Sequence, residues 1–346
     1  MDNSLCSCWV FYSLHSEMAR VQKMINRNLC KTVVSSGGTI TPLLINPIMS
    51  RGLGLMNPSI FNDNGNLLLN LRNVNYTLYH CENGQLYNNR YGPLAYLNPE
   101  NDLTLRTWNY FCTLKEDLSI DTYRLIDTSQ FDIPPVWTFI GLEDARLVRW
   151  YNKLYICGVR RDVKPNGEGR MEISEIDNAK EISRTRIAPP NDPNSYCEKN
   201  WMPIIDLPFH FVKWSNPTEV VKVEGNKSQT VFLSNKVIPN LPALRGSSQV
   251  IPYKDYHICI VHECDLFYNQ VKQKDATYLH RFIVWDKDWN IVHLSDEFSF
   301  MTGEIEFCCG LALYQNDLLI SFGFQDNAAY ILRVPEKQIE SVIYAK

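Results

Sequence analysis

The chain has 346 residues, of which 45% are hydrophobic and 12% aromatic, enough for a substantial core and too apolar for a disordered protein. A formal net charge of −4 gives no overall positive field that would attract nucleic acid or an anionic membrane surface. No run approaches the roughly 20 apolar residues of a membrane-spanning helix, and no secretory signal is recognisable. We therefore expect a cytoplasmic protein with no nucleic-acid partner and no membrane span.

The N-terminal region shows helical periodicity. Between residues 16 and 29 the apolar side chains fall on one face of a helix, at Met18, Val21, Met24, Ile25 and Leu29. This spacing predicts one amphipathic helix packed on the outside of the fold. We assign residues 1–35 to an N-terminal helical extension and residues 36–346 to a single catalytic domain.

The rest of the chain consists of short β-type runs separated by turn residues. Turns are predicted at residues 62–66, 82–85, 151–153, 252–255 and 314–317. Roughly four strands recur in each stretch of about 65 to 70 residues, which favours an all-β fold with five four-stranded sheets arranged radially, a five-bladed β-propeller. A two-sheet sandwich is the rival fold, but it would need several additional elements to account for this length.

The eleven cysteines are scattered through hydrophobic runs without paired Cys-x-x-Cys spacing. Such cysteines are typical of reduced core residues. Cys6 and Cys8 form a close pair, but no second pair with zinc-site spacing follows. The sequence therefore predicts neither a metal site nor a cofactor.

The stretch Glu143-Asp144-Ala145-Arg146 lies within a strand-like run at residues 139–150. Paired carboxylates beside a cation are typical of sites that cleave glycosidic bonds, where one acid protonates the leaving oxygen. Arg146 is expected to point to the same side of the strand as Asp144 and to orient or charge its carboxyl group. Taken alone, the same pattern also fits a surface ion pair.

Other segments concentrate polar residues at the ends of apolar runs. They are Asn57-Pro58-Ser59 with Arg72, Glu198-Lys199-Asn200-Trp201, Arg245-Gly246-Ser247-Ser248, and Glu306-Phe307-Cys308-Cys309-Gly310 with Asp326. In this order, the segments resemble glycoside hydrolase family 130 and the related glycosyltransferase family 108. Both are families of five-bladed propeller enzymes that act mainly on β-linked mannosides. The resemblance runs from about Asn57 to Val334.

The resemblance implies roles for individual residues. Asp144 matches the proton donor of a Glu-Asp-Pro-Arg signature, with alanine here in place of proline. The residues implied to bind phosphate or a donor are Lys199, one or both of Arg160 and Arg161, and Lys213. Those implied to contact the sugar substrate are Asn57, Arg72, Glu143, Arg146, Asn200, Trp201, Arg245, His262 and Asp326.

One departure bears on the donor. Phosphate-using members of the family place a histidine after the lysine segment, whereas Lys213 or Trp214 lies near that point here. A lysine supplies a point charge without the planar geometry of an imidazole, so the gap admits a nucleotide-sugar donor.

Three functions follow from these observations. The first is inverting glycosyl transfer at β-mannoside-type linkages, with a sugar or oligosaccharide substrate and phosphate, a sugar phosphate or a nucleotide sugar as partner. The second is hydrolysis on the same fold, with Glu143 or Glu198 as the base that activates water. The third is a glycan-binding propeller without catalysis. The sequence leaves open whether the protein forms a homo-oligomer.

Overall fold

The computed structural model describes residues 27–78, 87–89, 92–96, 104–192, 194–268 and 274–345. The helices are α1 (Leu29–Ser35), α2 (Pro47–Ser50) and α3 (Glu336–Ile343). The strands are β1 (Thr39–Pro42), β2 (Gly54–Asp63), β3 (Asn66–Val74), β4 (Tyr76–Leu78), β5 (Tyr87–Asn89), β6 (Gly92–Tyr96), β7 (Leu105–Leu114), β8 (Ile120–Leu125), β9 (Phe139–Ile140), β10 (Leu142–Trp150), β11 (Lys153–Arg160), β12 (Arg170–Asp177), β13 (Lys180–Arg186), β14 (Met202–Pro203), β15 (His210–Ser215), β16 (Thr218–Glu224), β17 (Lys227–Leu233), β18 (Arg245–Gly246), β19 (Ile251–Tyr253), β20 (Tyr256–Tyr268), β21 (Lys274–Trp285), β22 (Ile291–Leu294), β23 (Glu306–Tyr314), β24 (Asp317–Phe324) and β25 (Ala328–Val334).

Most of the strands form five antiparallel blades, β9 pairs parallel with β7 of blade 1, and β4, β6 and β5 form a separate three-stranded sheet. Blade 1 has the order β2-β3-β7-β8, blade 2 β10-β11-β12-β13 and blade 3 β14-β15-β16-β17. Blade 4 has the order β18-β20-β21-β22 with β19 also paired to β20, and blade 5 has the order β23-β24-β25-β1. The prediction of a five-bladed β-propeller is confirmed, and the sandwich alternative is wrong. The predicted helix at residues 16–29 lies almost entirely outside the described residues, and α1 begins at Leu29.

The hairpin turns have the chemistry that the sequence predicts. Between β2 and β3, Asn64 and Gly65 have positive φ angles of 52° and 95°, and the Asn62 side chain accepts a hydrogen bond from the Gly65 amide at 2.8 Å. Asn152 and Asn316 occupy the same left-handed region in the later predicted turns. The turn predicted at residues 82–85 lies outside the described residues.

The N-terminal strand closes the ring. β1 pairs antiparallel with β25, with Thr39 opposite Arg333 and Pro42 opposite Tyr330. The last blade therefore combines three C-terminal strands with one strand from the beginning of the propeller. Closure of this kind removes two free sheet edges.

Gln249 joins several blades near the axis of the ring. Its Nε2 donates to the carbonyl oxygens of Ile60 at 3.0 Å and Leu147 at 2.8 Å, and its Oε1 accepts from the Leu311 amide at 3.0 Å. These three partners lie on β2, β10 and β23, the inner strands of blades 1, 2 and 5. The fully buried Gln249 amide thus fixes the inner strands relative to one another.

The eight cysteines within the described residues are free thiols, and most of them are buried. Burial raises the pKa of Cys112, Cys157 and Cys308, which keeps these thiols protonated and unreactive. This agrees with reduced core cysteines. Over the same residues, no helix is both long enough and apolar enough to cross a membrane.

Candidate active site

The carboxylate pair lies at the start of β10, where the strand is irregular. The register between β10 and β11 shifts between Glu143 and Arg146, and Asp144 has a positive φ of 50°. Gly141, just before the strand, has a φ of 101°. A bulge of this kind changes the direction of side chains relative to a regular strand. It places Glu143 and Asp144 at the inner end of blade 2.

Asp144 is held by two side chains from blade 1. Asn57 Nδ2 donates to Asp144 Oδ1 at 2.7 Å, and Arg72 Nη1 donates to the same oxygen at 2.6 Å. Asn57 and Arg72 are each 4% exposed. A charge-assisted contact in so dry a setting is strong and geometrically specific. Asp144 therefore belongs to a preformed site between two blades, which excludes the surface ion-pair interpretation.

The Arg146 side chain bonds to backbone groups, while its charge acts on the Asp144 carboxylate. Its Nη1 donates to the backbone carbonyl oxygen of Asp144 at 2.7 Å, and its Nε donates to the Ser247 carbonyl oxygen at 2.7 Å. The side chain is fully buried. Because the bulge interrupts strand alternation, Arg146 secures the backbone of Asp144, and Arg72 makes the contact with the carboxylate.

The surroundings shift the pKa values of the two carboxyl groups in opposite directions. Burial pushes the pKa of Asp144 upward, but the charges of Arg72, Arg146 and Lys199 and the hydrogen bond from Asn57 together lower it below its usual value. Burial raises the pKa of Glu143, and Arg72 only partly offsets this. Asp144 is therefore ionised over a wide pH range, whereas Glu143 retains its proton to a higher pH than an exposed glutamate.

Glu143 lies near Arg72 without a close hydrogen bond. Its Oε2 is 3.8 Å from Arg72 Nη2. Its buried Oε1 receives no hydrogen bond from the residues that the structure describes. A buried carboxyl oxygen without a donor favours the neutral acid over the carboxylate.

A pocket of about 390 Å³ has Arg161 and Lys199 in its wall, and the charges of both act on Glu143, which does not itself line the pocket. We call it the cationic pocket, because Arg161, Lys199 and Arg245 line it. Lys199 and Arg245 are exposed, and Arg161 is half-buried. The effect of Arg161 and Lys199 on Glu143 places the pocket near the carboxyl groups. The other lining residues are Tyr196, Cys197, Glu198, Asn200, Trp201, Lys213, the exposed Trp214 and Gly246.

Two cations expected at a phosphate or donor site are paired with glutamates. Arg160 donates through Nε to Glu172 Oε2 at 2.8 Å and is buried away from the cationic pocket. Arg160 is the last residue of β11 and Arg161 follows the strand, and only Arg161 of the pair lines the pocket. Lys213 does line it, but its Nζ lies 3.8 Å from Glu198 and 3.6 Å from Glu219, which neutralise its charge.

Two expected substrate contacts, Trp201 and His262, are almost fully buried, although Trp201 also lines the cationic pocket. Trp201 is 1% exposed and donates from Nε1 to Glu198 Oε2 at 3.1 Å. His262 is 2% exposed and lies 2.8 Å from the Ser247 hydroxyl through Nδ1. Burial lowers the pKa of His262 well below its usual value, so the ring is neutral. The Asp326 charge acts on Arg72, which places Asp326 on the carboxylate side.

Sequence reasoning missed two partners of Arg72. The Tyr76 hydroxyl accepts from Arg72 Nη2 at 2.9 Å, and Thr107 Oγ1 accepts from Arg72 Nε at 3.2 Å. Neither residue stands in a recognisable motif. Tyr76 and Thr107 hold the guanidinium in the plane from which it reaches Asp144. Among the described residues, no cluster of three or more His, Cys, Asp or Glu side chains is arranged to bind a metal ion.

Comparison with known proteins identifies the fold. No family model matches the sequence, and no curated protein matches it. Among solved structures, the β-1,2-mannobiose phosphorylase of Listeria innocua matches with 11% identity, a TM-score of 0.54, and coverage of 84% of this chain and 92% of that chain. A glycosyl hydrolase from Bacteroides ovatus matches with 11% identity, a TM-score of 0.55, and coverage of 82% and 85%.

A third structure comes from a study of glycoside hydrolase family 130, a family of mannoside phosphorylases that contains hydrolases of β-1,2-mannosidic linkages in Candida mannan. It matches with 11% identity, a TM-score of 0.54, and coverage of 82% of this chain and 85% of that chain. These identities are too low to transfer an activity. The chain shares the five-bladed propeller fold of these mannoside phosphorylases and glycoside hydrolases.

Proposed function

We propose that the protein is a carbohydrate-active enzyme that catalyses inverting glycosyl transfer at β-mannoside-type linkages. The observation that carries the proposal is the carboxyl pair Glu143 and Asp144 at the inner end of blade 2, where the charges of Arg161 and Lys199 from the cationic pocket act on Glu143. A glycosidic bond needs an acid for the leaving oxygen, and an anionic partner needs fixed positive charge. The shared fold of mannoside phosphorylases and hydrolases supports the choice of sugar.

In this proposal Asp144 is the general acid. Its lowered pKa means that little of it is protonated near neutral pH. A proton must therefore reach Asp144 during the reaction. Glu143, adjacent in the chain and with a raised pKa, is suited to hold that proton in the resting enzyme. Arg72 and Asn57 then keep Asp144 in a single orientation for the sugar.

The cationic pocket is proposed to bind the anionic partner. Lys199, Arg245 and Arg161 supply its positive charge, whereas the charge of Lys213 is neutralised by two glutamates. The volume of about 390 Å³ exceeds what one phosphate ion fills, since ligand pockets of ~300 Å³ and above hold whole small molecules. We therefore favour a sugar phosphate or nucleotide sugar, with Trp214 offering a partly exposed ring for stacking.

The proposal is tested by incubating the protein with mannose 1-phosphate or GDP-mannose and a panel of acceptors. Formation of a mannoside together with phosphate or GDP supports transfer. The Asp144→Asn protein should lose at least about 100-fold in rate, because general acid catalysis contributes about that much. Asp121→Asn, a change of an exposed carboxylate on β8, should keep full activity. Full activity in the Asp144→Asn protein would overturn the catalytic assignment.

Hydrolysis is the second candidate function. It is favoured by the pairing of Lys213 with Glu198 and Glu219, which removes one cation from the position where phosphate-using relatives place a histidine. Release of mannose from a β-mannoside at a rate independent of added phosphate would select it. Binding of mannosides without turnover of any donor or mannoside would instead select a glycan-binding propeller.

A further inference from the structure

A second cavity lies between blades 1 and 2, apart from the cationic pocket. Its volume is about 470 Å³, within the range of ~300 to 1,000 Å³ typical of ligand pockets. Its walls come from β7 and the chain after β8 on one side and from β11, β12 and β13 on the other. We call it the interblade cavity. It shares no lining residue with the cationic pocket.

The walls of the interblade cavity combine apolar side chains with buried charged groups. Asp162 is 5% exposed, and Glu172 and Glu181 are each 1% exposed. Leu142 and Ile156, which belong to an apolar cluster, line the same cavity. Burying ions between blades carries a desolvation cost that apolar side chains would not carry. The buried charged groups therefore supply hydrogen-bonding groups that packing between the blades does not require.

Asp162 has an unused acceptor in this wall. Its Oδ2 accepts from the Gly141 amide at 2.9 Å and lies 3.3 Å from Arg160 Nη1. Its Oδ1 is buried and receives no hydrogen bond from the described part of the chain. Glu172 and Glu181, in contrast, have both carboxylate oxygens bonded by arginines. Asp162 Oδ1 can thus accept a hydrogen bond from a ligand or a water molecule.

The charges around the interblade cavity balance. Four arginines and four carboxylates line it: Arg106, Arg160, Arg184, Arg186, Asp132, Asp162, Glu172 and Glu181. A balanced wall gives no net attraction to a cation or an anion, and it favours a neutral ligand rich in hydroxyl groups. Phe131, Ile133 and Pro135 add an apolar wall that suits the C–H face of a pyranose. We propose that the interblade cavity binds a neutral saccharide unit at a site separate from the carboxyl pair.

The test is binding of mannobiose, with cellobiose as a second neutral disaccharide, measured by saturation-transfer NMR and titration calorimetry. The informative variant is Ile133→Arg, which places a bulky cation in the apolar wall. Ile133 is 54% exposed, so the variant should fold. The matched control is Val136→Arg, because Val136 lies on the same segment, is 50% exposed and does not line the cavity.

We expect Ile133→Arg to weaken binding of at least one disaccharide about tenfold, a change of about 1.4 kcal/mol in binding free energy, while Val136→Arg binds like the wild type. Asp162→Asn should weaken the same disaccharide binding that Ile133→Arg weakens. Equal binding by both arginine variants would overturn the proposal. The proposal would also be overturned if inorganic phosphate or agmatine bound more tightly than the disaccharides and only Ile133→Arg altered that binding. The ligand of the cavity would then be charged.

This outcome is independent of the proposed function. The readout is binding at the interblade cavity, and repeating it with Asp144→Asn protein removes turnover without touching a residue of that cavity. Loss of turnover with retained Ile133-sensitive binding would leave this inference standing. Full turnover together with equal disaccharide binding by the two arginine variants would contradict the saccharide site in the interblade cavity and leave the proposed function intact.

Discussion

Glu143 and Asp144 are neighbours in sequence, yet their surroundings give them different protonation states. Arg72, Arg146, Lys199 and Asn57 keep Asp144 charged despite its burial. Glu143 has an oxygen without a donor, and burial raises its pKa. Two carboxyl groups whose pKa values are pushed apart are a frequent basis for acid and base roles in catalysis.

Replacing Glu143 by glutamine should change the pH dependence of activity. In the wild type the proton on Glu143 is present below its raised pKa and is lost as the pH rises through it, so the rate should fall on that alkaline side. The Glu143→Gln protein should be slower and should lack this descending limb. The measurement is kcat/KM from pH 4 to 9.

The control for that profile is Glu224→Gln. Glu224 is exposed, and the hydrogen bond and charge of Lys222 lower its pKa, so it does not share the environment of Glu143. Its replacement should leave the profile unchanged. A descending limb that persists unaltered in Glu143→Gln would assign the titration to another group.

At the scale of elements, the start of β10 depends on Gly141. A Cβ at this position would lie 2.3 Å from the carbonyl oxygen of Thr107, and the φ of 101° is unfavourable for any other residue. We expect Gly141→Ala to lower the free energy of unfolding by about 2 kcal/mol or more, through backbone strain and a steric clash. Urea unfolding measures this change.

Gly65→Ala separates the two causes. Gly65 has a similar φ of 95° in an exposed turn, and a Cβ added there would have no atom within 4 Å. The free energy of unfolding of the Gly65→Ala protein should therefore fall by only about 1 kcal/mol, from backbone strain alone. Equal losses in the two variants would show that the contact with Thr107 carries no cost.

Glu306, at the start of β23, fixes the preceding loop. Its carboxyl group accepts from the amides of Phe300, Met301 and Gly303 at 2.5, 2.7 and 2.8 Å. Burial nevertheless raises its pKa from 4.5 to about 7, because desolvation outweighs these hydrogen bonds. The loop and the strand are thus joined by a group that changes charge near neutral pH.

Stability should fall as Glu306 ionises. Because folding raises the pKa of Glu306, its protonated carboxyl group contributes its full stabilisation below about pH 4.5. This contribution is lost as the pH rises to about 7. At about 1.4 kcal/mol per pKa unit, the loss is about 3 kcal/mol. Urea unfolding of Glu306→Gln between pH 4.5 and 8 should lack this decrease. A decrease of the same size in the variant would refute the assignment.

At the scale of the whole molecule, Gln249 connects inner strands of three blades. Gln249→Leu keeps a similar size but leaves the Leu311 amide and the carbonyl oxygens of Ile60 and Leu147 without this partner. Each buried group left unsatisfied costs ~1 to 3 kcal/mol, so we expect a loss of about 3 kcal/mol or more in thermal or urea unfolding. Gln229→Leu on exposed β17 is the control and should change stability little.

The fold could be predicted from the sequence because the residue patterns that indicate strands and turns are local. Alternating apolar residues and Asn or Gly at turns, as at Asn64 and Gly65, specify hairpins without knowledge of distant partners. The site depends on contacts that are not local. The pairing of Asp144 with Arg72 joins two blades, and the bulge that prevents Arg146 from facing the carboxylate has no signature in its residue types. The opposite pKa directions of Glu143 and Asp144 follow from burial, which becomes known only with the tertiary structure.

The pairing of β1 with β25 has a consequence for biosynthesis. During translation β1 leaves the ribosome long before β25 exists, so it must wait without its partner while the intervening blades are made. Contacts of such large sequence separation form slowly because they carry a large loop-closure entropy. An incomplete nascent chain that stops before Ala328 would expose the edges of both β1 and β24, and we expect such chains to be the species that chaperones bind.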